Sequence, residues 1–257
     1  MPELCLTNMC LAGQATRLES DNFILSHGEF HFPDIHGARV YGCNFAVDNY
    51  HDGLFQNLNI HLPEHLLNAV NKRKAEFLAG RFCAANAMQL LGIDNRTVEV
   101  GENRCPRWPE TMTGAITHTD TSAKCIVAQS AWSDVGIDEE VWLSSDVAEQ
   151  ICHQILNARE IEILRNTDLS FEKAVTMVFS AKETLFKAFY RLICEYFGFE
   201  AFVLVTEELD KKSGVLRFYP DSTMAQRLNL TTPVAVNYIT QSDGILTYYL
   251  PDVSQDK

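Results

Sequence analysis

Two long helical segments, residues 71–91 and 171–197, stand in a chain whose other apolar runs are mostly short and strand-like. That spacing limits the fold more than any other feature. In the first segment Leu78, Phe82, Ala85, Met88 and Leu91 recur every three or four residues, the period of an amphipathic helix. Pro63 opens this helical region, and Gly92 stands where a helix C-terminal glycine belongs. The second segment starts at Phe171 and is ended by Gly198. Around the helices, residues 23–25 and 39–41 read as strands, 103–114 as a loop with two prolines around Trp108, and 115–118 as an extended run. Residues 123–129 and 135–141, with a polar turn at Ser133-Asp134 between them, resemble an antiparallel hairpin. A helix over 146–156, capped by Ser144 or Ser145, follows. Residues 202–205, 215–218, 234–239 and 245–250 read as closing strands. The order is strands, helix, hairpin, helices, strands, which is α+β rather than a βαβ alternation. A long helix near antiparallel strands in each half points to a duplicated architecture.

With 257 residues, 46% of them hydrophobic, the chain can bury one large core or two smaller ones. Mean hydropathy is −0.10, and no stretch approaches the ~18–20 apolar residues of a membrane span. Residues 1–13 lack a basic start and a long apolar run, so no secretory signal is expected. Eight cysteines occur without a CxxC pair or zinc-finger spacing. Reduced, mostly buried thiols in a cytoplasmic protein are expected. A formal charge of −13 argues against nucleic acid as the main partner. It leaves room for a local basic site that binds a phosphorylated small molecule.

Two short motifs carry chemistry. In Gly136-Ile137-Asp138-Glu139-Glu140, residues two apart on a strand share a side, so Asp138 and Glu140 present two carboxylates to one spot. Crowded like charges call for a cation or a proton between them, and Mg²⁺ favours such hard oxygen ligands. Alone, the pattern equally describes an acidic strand end in solvent. In Phe179-Ser180-Ala181-Lys182-Glu183-Thr184-Leu185-Phe186-Lys187, Glu183 and Lys187 lie at i and i+4 on one helix face. They suit a metal and a phosphate together, or an ordinary surface pair.

Taken together, Gly-Ile-Asp-x-Glu and, about forty residues on, Phe-x-x-Lys-Glu-x-x-x-Lys resemble the signature of the phosphopantetheinyl transferase superfamily. Three more segments resemble its two-lobed, enterobactin-type group. They are Lys72-Arg73-Lys74-Ala75-Glu76-Phe77-Leu78-Ala79-Gly80-Arg81, Pro106-Arg107-Trp108-Pro109 and Gly114-Ala115-Ile116-Thr117-His118. The resemblance runs over about residues 70–190.

It implies two similar α/β lobes related by a pseudo-two-fold, each with a long helix packed on antiparallel strands. Residues 1–130 would form the lobe that contacts the 3′-phosphoadenosine of coenzyme A. Residues 131–257 would form the lobe with the magnesium and catalytic motifs. The implied reaction moves the phosphopantetheine arm of coenzyme A to a serine of an apo acyl, peptidyl or aryl carrier protein and releases 3′,5′-ADP. Siderophore, polyketide and fatty acid synthesis all use that modification. A monomer is implied.

By resemblance, Asp138, Glu140 and Glu183 match magnesium ligands. Lys182 and Lys187 match lysines near the pyrophosphate, and His118 a contact to the 3′-phosphate. Arg73 and Arg81 match basic helix positions that hold the 3′-phosphoadenosine end, and Arg104 another contact to coenzyme A. Glu183 would be the base, Lys187 would stabilise the leaving group, and Asp138 would complete the catalytic set. Carrier proteins of this family are acidic, so Arg159, Arg165 and Lys173 are docking candidates. Three positions depart from the family pattern: Glu139, Thr184 and Ala115. The competing readings are a non-catalytic relative that binds carrier or coenzyme A, and a metal-dependent nuclease. The acidic balance and the Glu-x-x-x-Lys spacing speak against the nuclease.

Overall fold

The apolar stripe of the first long segment folds as expected, into a helix laid across a sheet. The computed structural model describes residues 22–32, 37–129, 134–206, 209 and 212–251, a mixed α/β fold with three sheets and six α-helices. The first half holds β1 (Ile24–Phe30), β2 (Ala38–Phe45), α1 (Gly53–Asn57), α2 (Asn71–Leu90), β3 (Glu99–Val100), β4 (Pro106–Arg107), β5 (Met112–His118) and β6 (Ser122–Gln129). Four of these strands form an antiparallel sheet in the order β1-β2-β6-β5. Residues alternate faces along a strand, and β6 shows it. Ala123, Cys125 and Val127 pack with Leu78, Phe82 and Cys83 of α2, whereas Ile126 and Ala128 join a separate cluster on the other face. Leu91 caps α2, and Gly92 follows at φ +73, the left-handed conformation that glycine adopts without strain.

The second half holds β7 (Gly136–Val141), α3 (Ser145–Ile155), α4 (Ala158–Arg165), α5 (Phe171–Ile193), β8 (Phe202–Leu204), β9 (Ser213–Pro220), α6 (Ser222–Arg227), β10 (Val234–Thr240) and β11 (Gly244–Tyr249). Its strands pair antiparallel in the order β7-β11-β10-β9-β8. Helix α5 buries Val178, Ala181 and Leu185 against Leu216, Val236 and Ile245. Each such aliphatic side chain contributes about 1.5–3 kcal/mol on burial. The remaining faces of the two sheets meet. Val40, Ala115 and Ile126 of the first pack with Ile137, Leu246 and Tyr248 of the second. The layers therefore run helix, sheet, sheet, helix.

Several expectations are corrected. Segments 123–129 and 135–141 do not form a hairpin. β6 pairs with β5 and β2, while β7 pairs with β11 in the other sheet. The hairpin of this region is β5–β6, closed where Thr119 N–H donates to Ser122 O at 2.8 Å. Of the expected turn, Ser133 lies outside the described residues, as do residues 1–13. Segment 103–114 is not all loop, because β4 pairs with β3 and β5 starts at Met112. Pro63 opens only a 3-10 turn over Glu64–Leu66, and α2 begins separately at Asn71. Helix α5 ends at Ile193, not Phe197, because Cys194 takes the left-handed conformation (φ 55) and caps it. Gly198 instead precedes a 3-10 turn. Helix α4 was not expected. A capping box starts it, with Asn157 and Glu160 each bonded to the other's backbone N–H. Ser144 caps α3 by accepting from Val147 N–H.

β7 lies so close to α5 that a Cβ built on Gly136 would sit 2.2 Å from Thr184 O and 3.1 Å from Ala188 Cβ. The close contact brings the acidic strand onto the helix that carries Glu183 and Lys187. G136A is expected to cost about 1–3 kcal/mol of stability by overpacking, measured by urea denaturation. Wild-type stability in G136A would show that β7 does not need this approach.

Candidate active site

β7 is a six-residue strand with carboxylates on both faces. Asp138 points to α5. It is 2% exposed, and Ser180 Oγ donates to its Oδ2 at 2.8 Å. Its Oδ1 accepts from Lys187 Nζ at 2.5 Å and from Thr117 Oγ1 of β5 at 3.1 Å. Thr117 Oγ1 also accepts from Glu139 N–H at 3.0 Å. One hydroxyl of the first half thus fixes two consecutive residues of the second.

Glu139 points the other way, into the contact between the sheets. It forms a buried ion pair with Lys124 of β6 and accepts from Ser122 Oγ at 2.8 Å. Its charge is met within the protein.

Glu140 and Glu183 are half-buried. Burial, and then the negative charge of Asp138, push the Glu140 carboxyl up to about 7. Lys187 opposes the shift; Glu183 and Glu139 add to it. Glu183 is also raised, by burial first and by Asp138, against the pull of Lys187. Asp138, Glu140 and Glu183 therefore carry more negative charge than Lys187 balances. Hard oxygen donors with excess charge fit a divalent cation such as Mg²⁺. Among the described residues, however, no three His, Cys, Asp or Glu groups converge closely enough to hold a metal ion. Lys187 sits on Asp138 instead.

Lys187 also lines a groove of about 520 Å³ between β5 and the C-terminal half of α5. Trp108, Phe186, Tyr190 and Tyr196 give it aromatic walls, and Arg104 stands at its edge. Near the end of β5, His118 Nε2 lies 3.2 Å from Arg73 Nη1 and 3.9 Å from Glu76 Oε2. Burial lowers the His118 pKa; Glu76 opposes this, while Arg73 and Lys187 add to it. His118 and Arg73 are thus neighbours, as a shared anion contact requires.

Two expected ligand contacts are placed elsewhere. Neighbouring helix residues point about 100° apart, and although Lys182 and Glu183 both line a smaller pocket of about 230 Å³, Lys182 turns its ammonium into the core. Its side chain is 2% exposed, paired with Glu160 at 2.8 Å and donating to Ile155 O at 2.9 Å. Burial lowers the Lys182 pKa against the pull of Glu160. Glu160 also accepts from Leu204 N–H and Asn157 N–H, so this pair joins α4, α5 and β8. Arg81 is 9% exposed. It donates from Nε to Val98 O at 2.9 Å and from Nη2 to Glu99 O at 3.3 Å, with its guanidinium over the Phe77 ring. Burial lowers its pKa to about 10. Lys182 and Arg81 hold the frame around the site.

Of the docking candidates, Arg165 pairs with Glu149 and covers the Phe171 ring, and Lys173 lies over Trp142. Arg159 is exposed. Thr117, Ser180, Lys124 and Thr247 touch the site or its supports and were not singled out from the sequence. Thr117 and Ser180 lie inside quoted motifs, but no spacing rule shows where a hydroxyl points. Lys124 and Thr247 leave no motif at all.

Two sequence families match the chain. The 4′-phosphopantetheinyl transferase N-terminal domain matches residues 62–128, and the 4′-phosphopantetheinyl transferase superfamily matches residues 134–234. Enterobactin synthase component D of Salmonella typhimurium is 37% identical over 165 residues, which is 62% of this chain and 66% of the relative. The protein of the same name from Escherichia coli K12 is 38% identical over 129 residues, 49% of this chain and 61% of the relative. The 4′-phosphopantetheinyl transferase Npt of Nocardia iowensis is 32% identical over 139 residues, 53% and 61%. The matched region spans less than two thirds of the length of each of these relatives.

Removing one partner of a buried ion pair strands the other charge. K182M is therefore expected to lower stability by about 3–5 kcal/mol, measured by urea denaturation. Wild-type stability in K182M would show that Glu160 does not need this partner. A second expectation concerns Glu140. A carboxyl that holds its proton more tightly folded than unfolded stabilises the fold fully at low pH. It loses that contribution as pH rises from 4.5 to about 7. In chelator-treated protein, stability should fall across this window more steeply in wild type than in E140Q, and added Mg²⁺ should remove the difference. Parallel profiles would show that Glu140 is not the strained carboxylate.

Proposed function

We propose, from the premise that this chain belongs to the 4′-phosphopantetheinyl transferase superfamily, that it moves the phosphopantetheine arm of coenzyme A to a serine of an apo carrier protein. The observation that carries the proposal is the position of Lys187, which lines the groove and also bonds to Asp138. A phosphate bound at that end of the groove meets the Lys187 ammonium, with Asp138 directly behind it. The acceptor is an acyl, peptidyl or aryl carrier domain, in line with relatives named as a component of enterobactin synthase.

The aromatic groove suits the planar base of the nucleotide, with Arg104 at its rim. Arg73 and His118 face the 3′-phosphate. Asp138, Glu140 and Glu183 are the residues that would hold Mg²⁺. When bound, that ion supplies positive charge against the pyrophosphate and fixes it for in-line attack. Glu183 takes the serine proton, a role helped by its raised pKa. The serine oxygen bonds to the β-phosphorus, the bond to the bridging oxygen breaks, and 3′,5′-ADP leaves with its new charge beside Lys187.

Residues 1–130 and 131–257 act as two similar lobes around this cleft, related by a pseudo-two-fold. The support is the pairing of one long helix with one antiparallel sheet in each half. The enzyme works as a monomer in the cytoplasm. Among the described residues no helix is long and apolar enough to cross a membrane.

Purified enzyme, coenzyme A, Mg²⁺ and an apo carrier should add about 340 Da to the carrier in intact-mass spectrometry, with no gain in EDTA. E183A should stay folded and lose at least about 100-fold in turnover. Near-normal turnover by folded E183A would overturn its role as base and ligand. No mass gain with carriers of all three types would overturn the activity.

A further inference from the structure

Behind Asp138 three buried hydroxyls run in a row into the second half of the protein, and the reaction above does not use them. Ser180 Oγ is 2.8 Å from Asp138 Oδ2, Thr247 Oγ1 is 2.9 Å from Ser180 Oγ, and Thr184 Oγ1 is 2.7 Å from Thr247 Oγ1. Ser180, Thr184 and Thr247 are all 0% exposed. Ser180 and Thr184 stand one turn apart on α5. Thr247 reaches between them from β11, where it is the ladder partner of Asp138.

Each hydroxyl has one hydrogen, and there are three contacts to fill. A carboxylate only accepts, so Ser180 must donate to Asp138. Ser180 can then only accept from Thr247, and Thr247 only from Thr184. The other acceptor near Thr184 is Thr247 O at 3.3 Å. Giving it the Thr184 hydrogen would leave one of the two shorter contacts with none. The direction Thr184 to Thr247 to Ser180 to Asp138 is therefore fixed. Donors aligned head to tail polarise one another and strengthen the last bond. That bond holds Oδ2 on the core side, while Oδ1 stays with Lys187, on the side of the groove.

We propose that Thr247, with Thr184 behind it, is a positioning residue for the transfer. Through Ser180 it keeps Asp138 in the one orientation that presents Oδ1 to Lys187 and the cation. The inference rests on the transferase reading of the site. It gives Thr184, one of the three departures from the family pattern, a specific task.

The test compares full-length wild type with T247V, T247S and T184V. Three quantities are measured: carrier loading, Mn²⁺ binding by calorimetry, and thermal denaturation. T247V keeps the volume of the side chain and removes the hydroxyl. It should lower kcat and weaken Mn²⁺ binding by about tenfold each, the usual scale for a group that orients a metal ligand, with the KM for coenzyme A unchanged. T247S should restore both. T184V, one hydroxyl further away, should show a smaller loss of the same kind, and it carries the test if T247V does not fold. Folded T247V with kcat and Mn²⁺ affinity within about twofold of wild type would overturn the proposal. So would T247S as impaired as T247V, since that would mean packing alone. If wild type loads no carrier while T247V still weakens Mn²⁺ binding, the transferase reading falls and the positioning role stands. If wild type loads carrier and T247V equals it, the reverse holds.

Discussion

A carboxylate that is 2% exposed needs donors on both oxygens, because burying a bare charge is prohibitive. Asp138 draws them from two elements, with a third behind. Thr117 comes from β5 in the first half, Ser180 and Lys187 come from α5, and Thr247 of β11 supports Ser180. Meeting that demand fixes how the two sheets stack and how closely β7 approaches α5. The groove is what remains between β5 and α5 once they are tied to the same residue.

The chain carries −13 overall, so the proposed phosphate site depends on a few cations that stay available. Much of the basic charge near the site is spent internally. Lys124 neutralises Glu139, Lys182 neutralises Glu160, and Arg81 satisfies two backbone carbonyls. Arg73, Arg104 and Lys187 keep partial exposure on the side of the groove or of His118. The distinction matters for stability. Internal pairs are strongly destabilised when halved, and Lys187 belongs with them through the buried Asp138, whereas the exposed Arg104 is exchanged at little structural cost.

What the sequence made legible was local. Period-two alternation placed Asp138 and Glu140 on one face and Glu139 on the other, and the apolar stripe located α2. Strand pairing was not local. The 123–129 and 135–141 segments are neighbours in the chain, but β7 finds its partner in β11, near the far end. A motif letter also does not state which way a side chain leaves its helix. Lys182 and Glu183 are adjacent in sequence, yet the Lys182 ammonium is buried on Glu160 while Glu183 stays half-buried near Asp138 and Lys187. The end of α5 was misplaced because Cys194, rather than a glycine, takes the left-handed turn. Ser180 and Thr247 leave no spacing signal, since their roles depend on contacts made only after α5 and β11 have met.

The alternation along β7 has a hereditary consequence. Insertions and deletions are tolerated in most surface connections. A strand slip of one residue, by contrast, turns every side chain to the opposite face. On β7 a slip that brought Glu139 round to Ser180 and Lys187 would turn Asp138 to the opposite face and send Glu140 toward Lys124. The composition would be intact and the site inverted. The register of β7 against β11 is thus as much a part of the site as the side chains themselves. Lineages of this protein should drift far more freely in their surface connections than in that register.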